Sequence, residues 1–351
     1  MPTAPTAPTG DQLRAIYRHM ALTRSFDTQA TALQRQGKLA LWPPSLGQEA
    51  AQVGSALALG PNDWVFPSYR EHGVLQARGV DLADALALFR GTDHGGWDPA
   101  DHRVHLYTLV VGAQALHAVG FAIGVALDGE TGAVVVYLGD GATSQGEVSE
   151  ALVWAASANA PVLFFIQNNG WAISTPTAVQ TRVELARRGE GFGVPGRRID
   201  GNDAVACFEA TAAALERVKA GGGPEIIEAV TYRLGPHTTS DDPSRYREAA
   251  EEAEWAGRDP IAHLRERLLA DGLADEAFFD ELAAAEADIA HRARQRCEQL
   301  APPALVRLFD QVYATPHPLV VEERAALEAT GARPQTVTSP ALETPLAGAA
   351  A

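Results

Sequence analysis

Gly139-Asp140-Gly141 closes the apolar run Ala133-Val134-Val135-Val136-Tyr137-Leu138, and Asn168-Asn169 follows a second run, Val162-Leu163-Phe164-Phe165-Ile166. Both runs are short, apolar on both parities and rich in β-branched or aromatic residues, the composition of a parallel strand covered on both faces. Between them, Ser144-Gln145-Gly146-Glu147 opens a helical pattern that runs to about residue 159, with Ser144 as the expected N-cap and Glu147 at capping-box spacing. The unit reads strand, helix, strand, which predicts a right-handed crossover. Both polar clusters then fall at the carboxyl edge of a sheet, where open α/β folds bind ligands.

Taken singly, Gly-Asp-Gly and Asn-Asn-Gly are ordinary turn sequences. Each ending an apolar strand of one α/β unit, they set a carboxylate beside a carboxamide. Magnesium takes oxygen ligands in near-octahedral geometry, usually one or two of them side chains, with phosphate oxygens, a carbonyl and water filling the rest. Asp140 and Asn169 meet that need. Gly139 and Gly141 lack a Cβ and let backbone N–H groups approach a phosphate, while the helix N-terminus that follows adds a favourable dipole end.

From Gly139-Asp140-Gly141-Ala142-Thr143-Ser144-Gln145-Gly146 through Gln167-Asn168-Asn169-Gly170-Trp171-Ala172-Ile173-Ser174, the chain resembles the thiamine diphosphate motif of 2-oxo acid dehydrogenase E1 component α subunits. The resemblance runs from about Leu13 to about Val312. It includes Asp63-Trp64-Val65-Phe66-Pro67-Ser68-Tyr69-Arg70-Glu71-His72-Gly73 and Tyr232-Arg233-Leu234-Gly235-Pro236-His237-Thr238-Thr239-Ser240-Asp241-Asp242. The fold it implies is an α/β thiamine diphosphate-binding fold, a mostly parallel sheet flanked by helices, with an N-terminal helix and a C-terminal helical region.

The same resemblance implies a set of site residues. Asp140 and Asn169 are expected as Mg²⁺ ligands, with the backbone carbonyl of Trp171 as a third. Gly139, Gly141 and Ala142 are expected along the diphosphate. Tyr69 and Arg70 match positions beside the phosphates, where the planar fork of arginine suits paired oxygens; the plain alternative for Arg70 is an ion pair with Glu71 or a nearby acid. Leu109 and Val111 are expected against the cofactor, Val111 as the apolar wedge that keeps it bent. His237 matches the active-site histidine near the reacting carbon, a residue able to move protons near neutral pH; its alternative is a solvated loop histidine. His72 and His117 read as structural, since one histidine in a helical run carries no ligand pattern.

Departures from the family pattern bear on function. Gln167 stands where some members carry arginine against the phosphate. Val110 and Ala113 stand where several members offer hydroxyl and amide groups to potassium, so that site is not expected. Thr238 replaces a serine that is regulatory in animal members, so kinase control is not implied. The glutamate that touches the aminopyrimidine ring belongs, in this family, to a separate β chain, and no second strand-rich unit here supplies it. An α2β2 heterotetramer with the E1 β subunit is therefore expected, acting on the lipoyl domain of an E2 acyltransferase. Residues 238–247 resemble branched-chain members more than pyruvate-specific ones, which favours a branched-chain 2-oxo acid as the small-molecule substrate. A pyruvate or acetoin dehydrogenase E1 α subunit is the alternative; a catalytically silent scaffold or a stand-alone transketolase-like enzyme are further ones, disfavoured by the intact Asp140, Asn169 and His237 and by length.

Composition frames this reading. A chain of 351 residues, 46% hydrophobic and 21% charged, has the make-up of a soluble globular protein. A net charge of -16 argues against nucleic-acid binding and docking on anionic membranes. Cys207 and Cys297 lie far apart without metal-ligand spacing, which fits a reducing compartment. No run approaches the roughly 20 apolar residues of a membrane span. The Pro/Thr/Ala-rich start has no signal-peptide pattern and no arginine before Arg14, and basic residues other than Lys38 and Lys219 are arginine. A bacterial cytoplasmic protein is expected.

Four stretches are expected along the chain: a disordered tail (1–10), the cofactor-binding α/β domain with its leading helix (11–247), a helical region (248–333) and a loose tail (334–351). Within the second, helical patterns cover 11–37, 47–59, 82–89, 113–125 and 204–219, the last stopped by Gly221-Gly222-Gly223, and residues 225–232 read as the last strand. Residues 236–247 are expected as a surface loop that orders when cofactor binds.

Overall fold

The two apolar runs become neighbouring parallel strands. The computed structural model describes residues 7–310 and 312–331. Its strands are β1 (Trp64–Phe66), β2 (Val134–Gly139), β3 (Val162–Asn168), β4 (Trp171–Ala172), β5 (Thr175–Pro176), β6 (Gly196–Asp200) and β7 (Glu225–Val230). Five of them form one all-parallel sheet in the order β1-β2-β3-β7-β6; β4 and β5 make a small antiparallel hairpin.

Side chains alternate across β2 and β3, and both faces are buried. Val135, Tyr137, Leu163 and Phe165 enter one apolar cluster, Val134, Val136, Leu138, Phe164 and Ile166 the other. Helices Ala113–Leu127 and Gly146–Ser157 cover the second face. Helices Gly10–Arg35, Glu49–Leu57 and Ala204–Arg217 contribute to the first cluster, as do Leu264 and Leu268 of Pro260–Ala270 and Leu282, Ile289 and Ala293 of Glu276–Gln299. The long C-terminal helix lies against the N-terminal one, with Tyr17 edge-on to Phe279 at 5.5 Å between ring centroids.

Register then sets the site. β2 pairs with β3 so that Gly139 lies opposite Gln167, which brings Asp140 level with Asn168 and leaves Asn169 one residue beyond. On the other side of β3, Asn168 pairs with Val230, so the chain leaving β7 runs past Asn169 and the Arg233 N–H donates to its carbonyl at 3.1 Å.

Several local expectations are corrected. Ser144 is no N-cap: Gly141–Ser144 forms a 3₁₀ turn, tightened by a hydrogen bond from Thr143 Oγ1 to the Asp140 carbonyl, and the helix begins at Gly146 after Gln145, which makes no side-chain cap. The chain must turn sharply at the cavity floor before the helix can start, and that turn uses up the capping-box residues. The helix expected to residue 219 ends at Arg217 and passes into a wider turn, Val218–Gly222, with Gly221 at positive φ. The last strand stops at Val230, where Thr231 Oγ1 instead donates to the Gly47 carbonyl. At the N-terminus, Thr9 and Gln12 form a capping box, so the first helix starts at Gly10. Residues 1–6 of the expected first tail, and all of 334–351, lie outside the described residues.

Candidate active site

A cavity of about 260 Å³ opens at the carboxyl edge of the sheet. Tyr69, Arg70, Val111, Gly139, Asp140, Gly141, Ala142, Asn169, Trp171 and His237 all line it. They arrive from the end of β1, the start of helix Ala113–Leu127, the ends of β2 and β3, the hairpin and the segment after β7. Leu109 is the exception: it is 53% exposed and does not line the cavity. Val110 and Val111 follow it in an exposed stretch ahead of the helix, and only Val111 turns to the cavity mouth.

One wall offers oxygen. Asp140 is 2% exposed, and its Oδ2 accepts from Thr177 Oγ1 at 3.0 Å and Gln180 Nε2 at 2.8 Å. Burial pushes this carboxyl up from its usual range, because only neutral donors compensate it at contact. A desolvated carboxylate in that setting gains much from a bound cation. Asn169 is also buried, its Nδ2 donating to Gln48 Oε1 at 3.1 Å, which leaves Oδ1 with a long 3.3 Å bond from the Trp171 N–H. The Trp171 carbonyl accepts from Arg233 Nη1 at 3.0 Å, so one of its lone pairs is taken. Among the described residues no group of three or more His, Cys, Asp and Glu could hold a metal. One carboxylate, one carboxamide and one carbonyl are instead a hard-cation donor set, and they fit Mg²⁺ carried with a phosphate.

On the facing wall stands one cation, Arg70, with Arg233 buried behind Trp171 and His237. Arg70 is 5% exposed and Arg233 fully buried, and among the described residues neither is ion-paired with a carboxylate. Arg70 donates from Nη1 to the Pro44 carbonyl at 2.6 Å and from Nη2 to the His237 carbonyl at 2.8 Å; the alternative of an ion pair with Glu71 is not what the structure shows. Arg233 donates to the Ile173 carbonyl at 2.7 Å and to Tyr246 Oη at 3.0 Å, and its Nε is buried without a partner. Burial and then the neighbouring Arg70 charge lower the Arg233 guanidinium to about 10. Arg247 binds the carbonyls of Arg233 and Gly235 behind them. Arg70 lines the cavity with no carboxylate partner, and Arg233 adds its charge from behind Trp171 and His237, a setting that favours an anion.

His237 stands between these arginines. Its backbone N–H donates to Asp241 Oδ2 at 2.8 Å, and Tyr246 Oη donates to the same oxygen. Residues 236–247 are thus fastened to the site by side chains, and His237 is half-buried, unlike the solvated loop histidine that was its alternative. Burial, then Arg70, then Arg233 lower its imidazole to about 3. His72 is structural as expected: fully buried and stacked on Trp42 at 4.3 Å, with Nδ1 2.6 Å from Tyr107 Oη and Nε2 3.0 Å from the Pro43 carbonyl. His117 lies exposed on helix Ala113–Leu127.

Some lining residues escaped the sequence reading. Gln48, Glu71, Gln114 and Ile173 also face the cavity. Glu71 is buried, its Oε1 accepting from Gln167 Nε2 at 2.6 Å and its Oε2 from Ser68 Oγ at 2.8 Å; burial raises its carboxyl. Gln167 is therefore tied to a carboxyl. Ile173 sits at φ 55°, a left-handed conformation that costs a β-branched residue about 1–3 kcal/mol and marks the hairpin turn as constrained. No local pattern announces any of these: a glutamine before a helix is a signal only once the cavity is known.

The family of the dehydrogenase E1 component matches residues 17–304. A Mycobacterium tuberculosis protein named 3-methyl-2-oxobutanoate dehydrogenase subunit alpha is 43% identical over 324 residues, 92% of this chain and 88% of that protein. Two proteins named pyruvate dehydrogenase E1 component subunit alpha are similar as well. The one from Staphylococcus epidermidis is 40% identical over 276 residues (78% of this chain, 75% of that one), and the one from Acholeplasma laidlawii is 37% identical over 319 residues (89% and 92%).

Proposed function

The chain belongs to the dehydrogenase E1 component family, and from that premise we propose that it is the α subunit of a branched-chain 2-oxo acid dehydrogenase E1 component that binds thiamine diphosphate through Mg²⁺. As an E1 component it is a thiamine diphosphate-dependent 2-oxo acid dehydrogenase. The substrate assignment is supported by the similarity to the M. tuberculosis protein over nearly the whole chain and by residues 238–247. One observation carries the binding mode: a desolvated carboxylate, Asp140, and a guanidinium without a carboxylate partner, Arg70, face one cavity, while Arg233 lies buried against the Trp171 carbonyl and His237 that line it. That is a place for an anion that arrives with its own divalent cation.

Bound there, thiamine diphosphate supplies the electron sink for decarboxylation. Asp140, Asn169 and the Trp171 carbonyl hold the cation, and Arg70 lends charge to the phosphate side. Gly139 and Gly141 leave the backbone open to phosphate oxygens. Val111 and Ile173 shield the mouth from water. His237 presents a ring N–H at the mouth as a hydrogen-bond donor for the acyl transfer to a lipoyl group. Val111 and Ile173 are 42% and 54% exposed, apolar surface suited to a second subunit, in keeping with an α2β2 assembly with E1 β and delivery to the lipoyl domain of E2. Cys207 and Cys297 are both free and buried, in keeping with a bacterial cytoplasmic setting. No helix among the described residues is long and apolar enough to cross a membrane.

The test is turnover of the chain reconstituted with its β subunit on 3-methyl-2-oxobutanoate against pyruvate, with reduction of lipoyl-E2 as the readout. A kcat/KM preference of tenfold or more for the branched substrate is expected. Preference for pyruvate would reassign the substrate, the reading that the two pyruvate dehydrogenase relatives favour.

A further inference from the structure

Which atom of the Asn169 carboxamide faces a cation depends on what holds the other. Its Nδ2 donates to Gln48 Oε1 at 3.1 Å, while its Oδ1 takes only the long bond from the Trp171 N–H. Gln48 is 1% exposed and lines the cavity from the N-cap of helix Glu49–Leu57. Its own Nε2 is buried with no hydrogen-bond partner among the described residues. A buried, unsatisfied donor is a standing cost that an apolar side chain of similar volume does not carry, so packing alone does not account for a glutamine here. What the glutamine does is present an oxygen to Asn169.

We infer that Gln48 is a positioning residue that sets the orientation of the Asn169 carboxamide. By accepting from Nδ2, it leaves Oδ1 as the atom available to a cation beside Asp140. The two amides interlock. Were Gln48 to present Nε2, only the Asn169 oxygen could meet it, and the NH₂ group, a donor that cannot coordinate a metal, would be left for the cation. The contact joins residues 121 positions apart in the chain, from the N-cap of one helix to the end of β3, so both elements are held to the same site.

This role rests on the cation site proposed above, and the experiment separates the two. Mg²⁺ is titrated at fixed thiamine diphosphate into the chain co-expressed with its β subunit and followed by calorimetry, alongside melting temperature without ligands. Gln48→Leu is expected to weaken Mg²⁺ about tenfold, the usual effect of losing a group that orients a ligand, while the ligand-free melting temperature moves by no more than a few degrees. Gln48→Glu keeps the acceptor and is expected to hold Mg²⁺ within about threefold of wild type. Asp140→Ala is expected to abolish Mg²⁺ binding. If Gln48→Leu binds Mg²⁺ like wild type while Asp140→Ala does not, the positioning role fails and the cation site stands. If Gln48→Leu and Gln48→Glu weaken Mg²⁺ equally, orientation of Asn169 is not the cause and the inference falls. Unchanged binding in Asp140→Ala removes the site and the inference together.

Discussion

Arg70 places Nη2 3.2 Å from Nδ1 of His237, and Arg233 brings Nη1 to 3.4 Å from the same nitrogen. Guanidinium nitrogens only donate, so Nδ1 must accept and the ring proton must reside on Nε2. The same two charges, added to burial, keep the ring neutral. His237 therefore offers a fixed N–H to the cavity and has no second proton to give at neutral pH. In the assembled enzyme without substrate, ¹⁵N chemical shifts of His237 should report the Nε2–H tautomer, with no titration between pH 8 and 5. A titration midpoint near 6.5 would contradict the paired guanidinium contacts. Arg233→Met, which removes one of them, should raise the midpoint toward the ordinary histidine value.

Acid should loosen the fold through His72. Burial holds its imidazole down to about 3, against an ordinary value of 6.5. Between those values the unfolded chain binds a proton that the folded chain does not, so stability is complete above about pH 6.5 and falls as pH is lowered. At pH 5 the loss from this residue is about 2 kcal/mol. Gln in its place keeps a donor for the Pro43 carbonyl and does not titrate. Urea unfolding of His72→Gln should show a shallower fall from pH 7 to pH 5 than wild type; equal slopes would place the acid sensitivity elsewhere.

At Asp140, function and stability should pull in opposite directions. The carboxylate is desolvated and at contact meets only Thr177 and Gln180, so its charge is costly until a cation arrives. Asp140→Asn keeps the shape and one acceptor. Without ligands, this variant should melt at or above the wild-type temperature, by up to about 1 kcal/mol of added stability. With Mg²⁺ and thiamine diphosphate, wild type should gain several degrees and the variant none. A ligand-free variant that melts well below wild type would mean the carboxylate is structural.

The sheet and half of the site were legible because they are local. Two apolar runs, each ended by a polar cluster, specify parallel strands and place Asp140 and Asn169 at one edge, and the pairing of Gly139 with Gln167 turns that pattern into adjacency. Val111 and His237 came only through the family resemblance, since no periodicity marks them. The capping box at Ser144 misled because a helix start and a tight turn use the same residues, and tertiary demand chose the turn. Gln48, Glu71 and the two arginines bracketing His237 were illegible as a group. Their meaning lies in contacts such as Arg70 to His237, which span 167 positions of chain.

The two glycines of the Gly-Asp-Gly turn should fail differently when given a methyl group. A Cβ on Gly139 would meet no protein atom within 4 Å, so Gly139→Ala should leave melting temperature unchanged within about a degree. Its methyl would project where the residue lines the cavity, and thiamine diphosphate should bind more weakly, by about 1–2 kcal/mol or roughly tenfold. A Cβ on Gly141 would lie 2.7 Å from Cβ of Ala172, below any real contact distance, so Gly141→Ala must displace the turn or the hairpin that carries the Trp171 carbonyl. That variant should lose both stability, by about 1–3 kcal/mol, and cofactor affinity. Removing the opposing methyl restores the room: the next atom, Cα of Ala172, stands 3.5 Å away, an ordinary contact. The double variant Gly141→Ala with Ala172→Gly should recover most of the lost stability, less the cost of a glycine in the hairpin. Thermal melts and cofactor titrations of the four proteins close a double-mutant cycle with a coupling of at least 1 kcal/mol; additive losses would show that the turn and hairpin are not in contact.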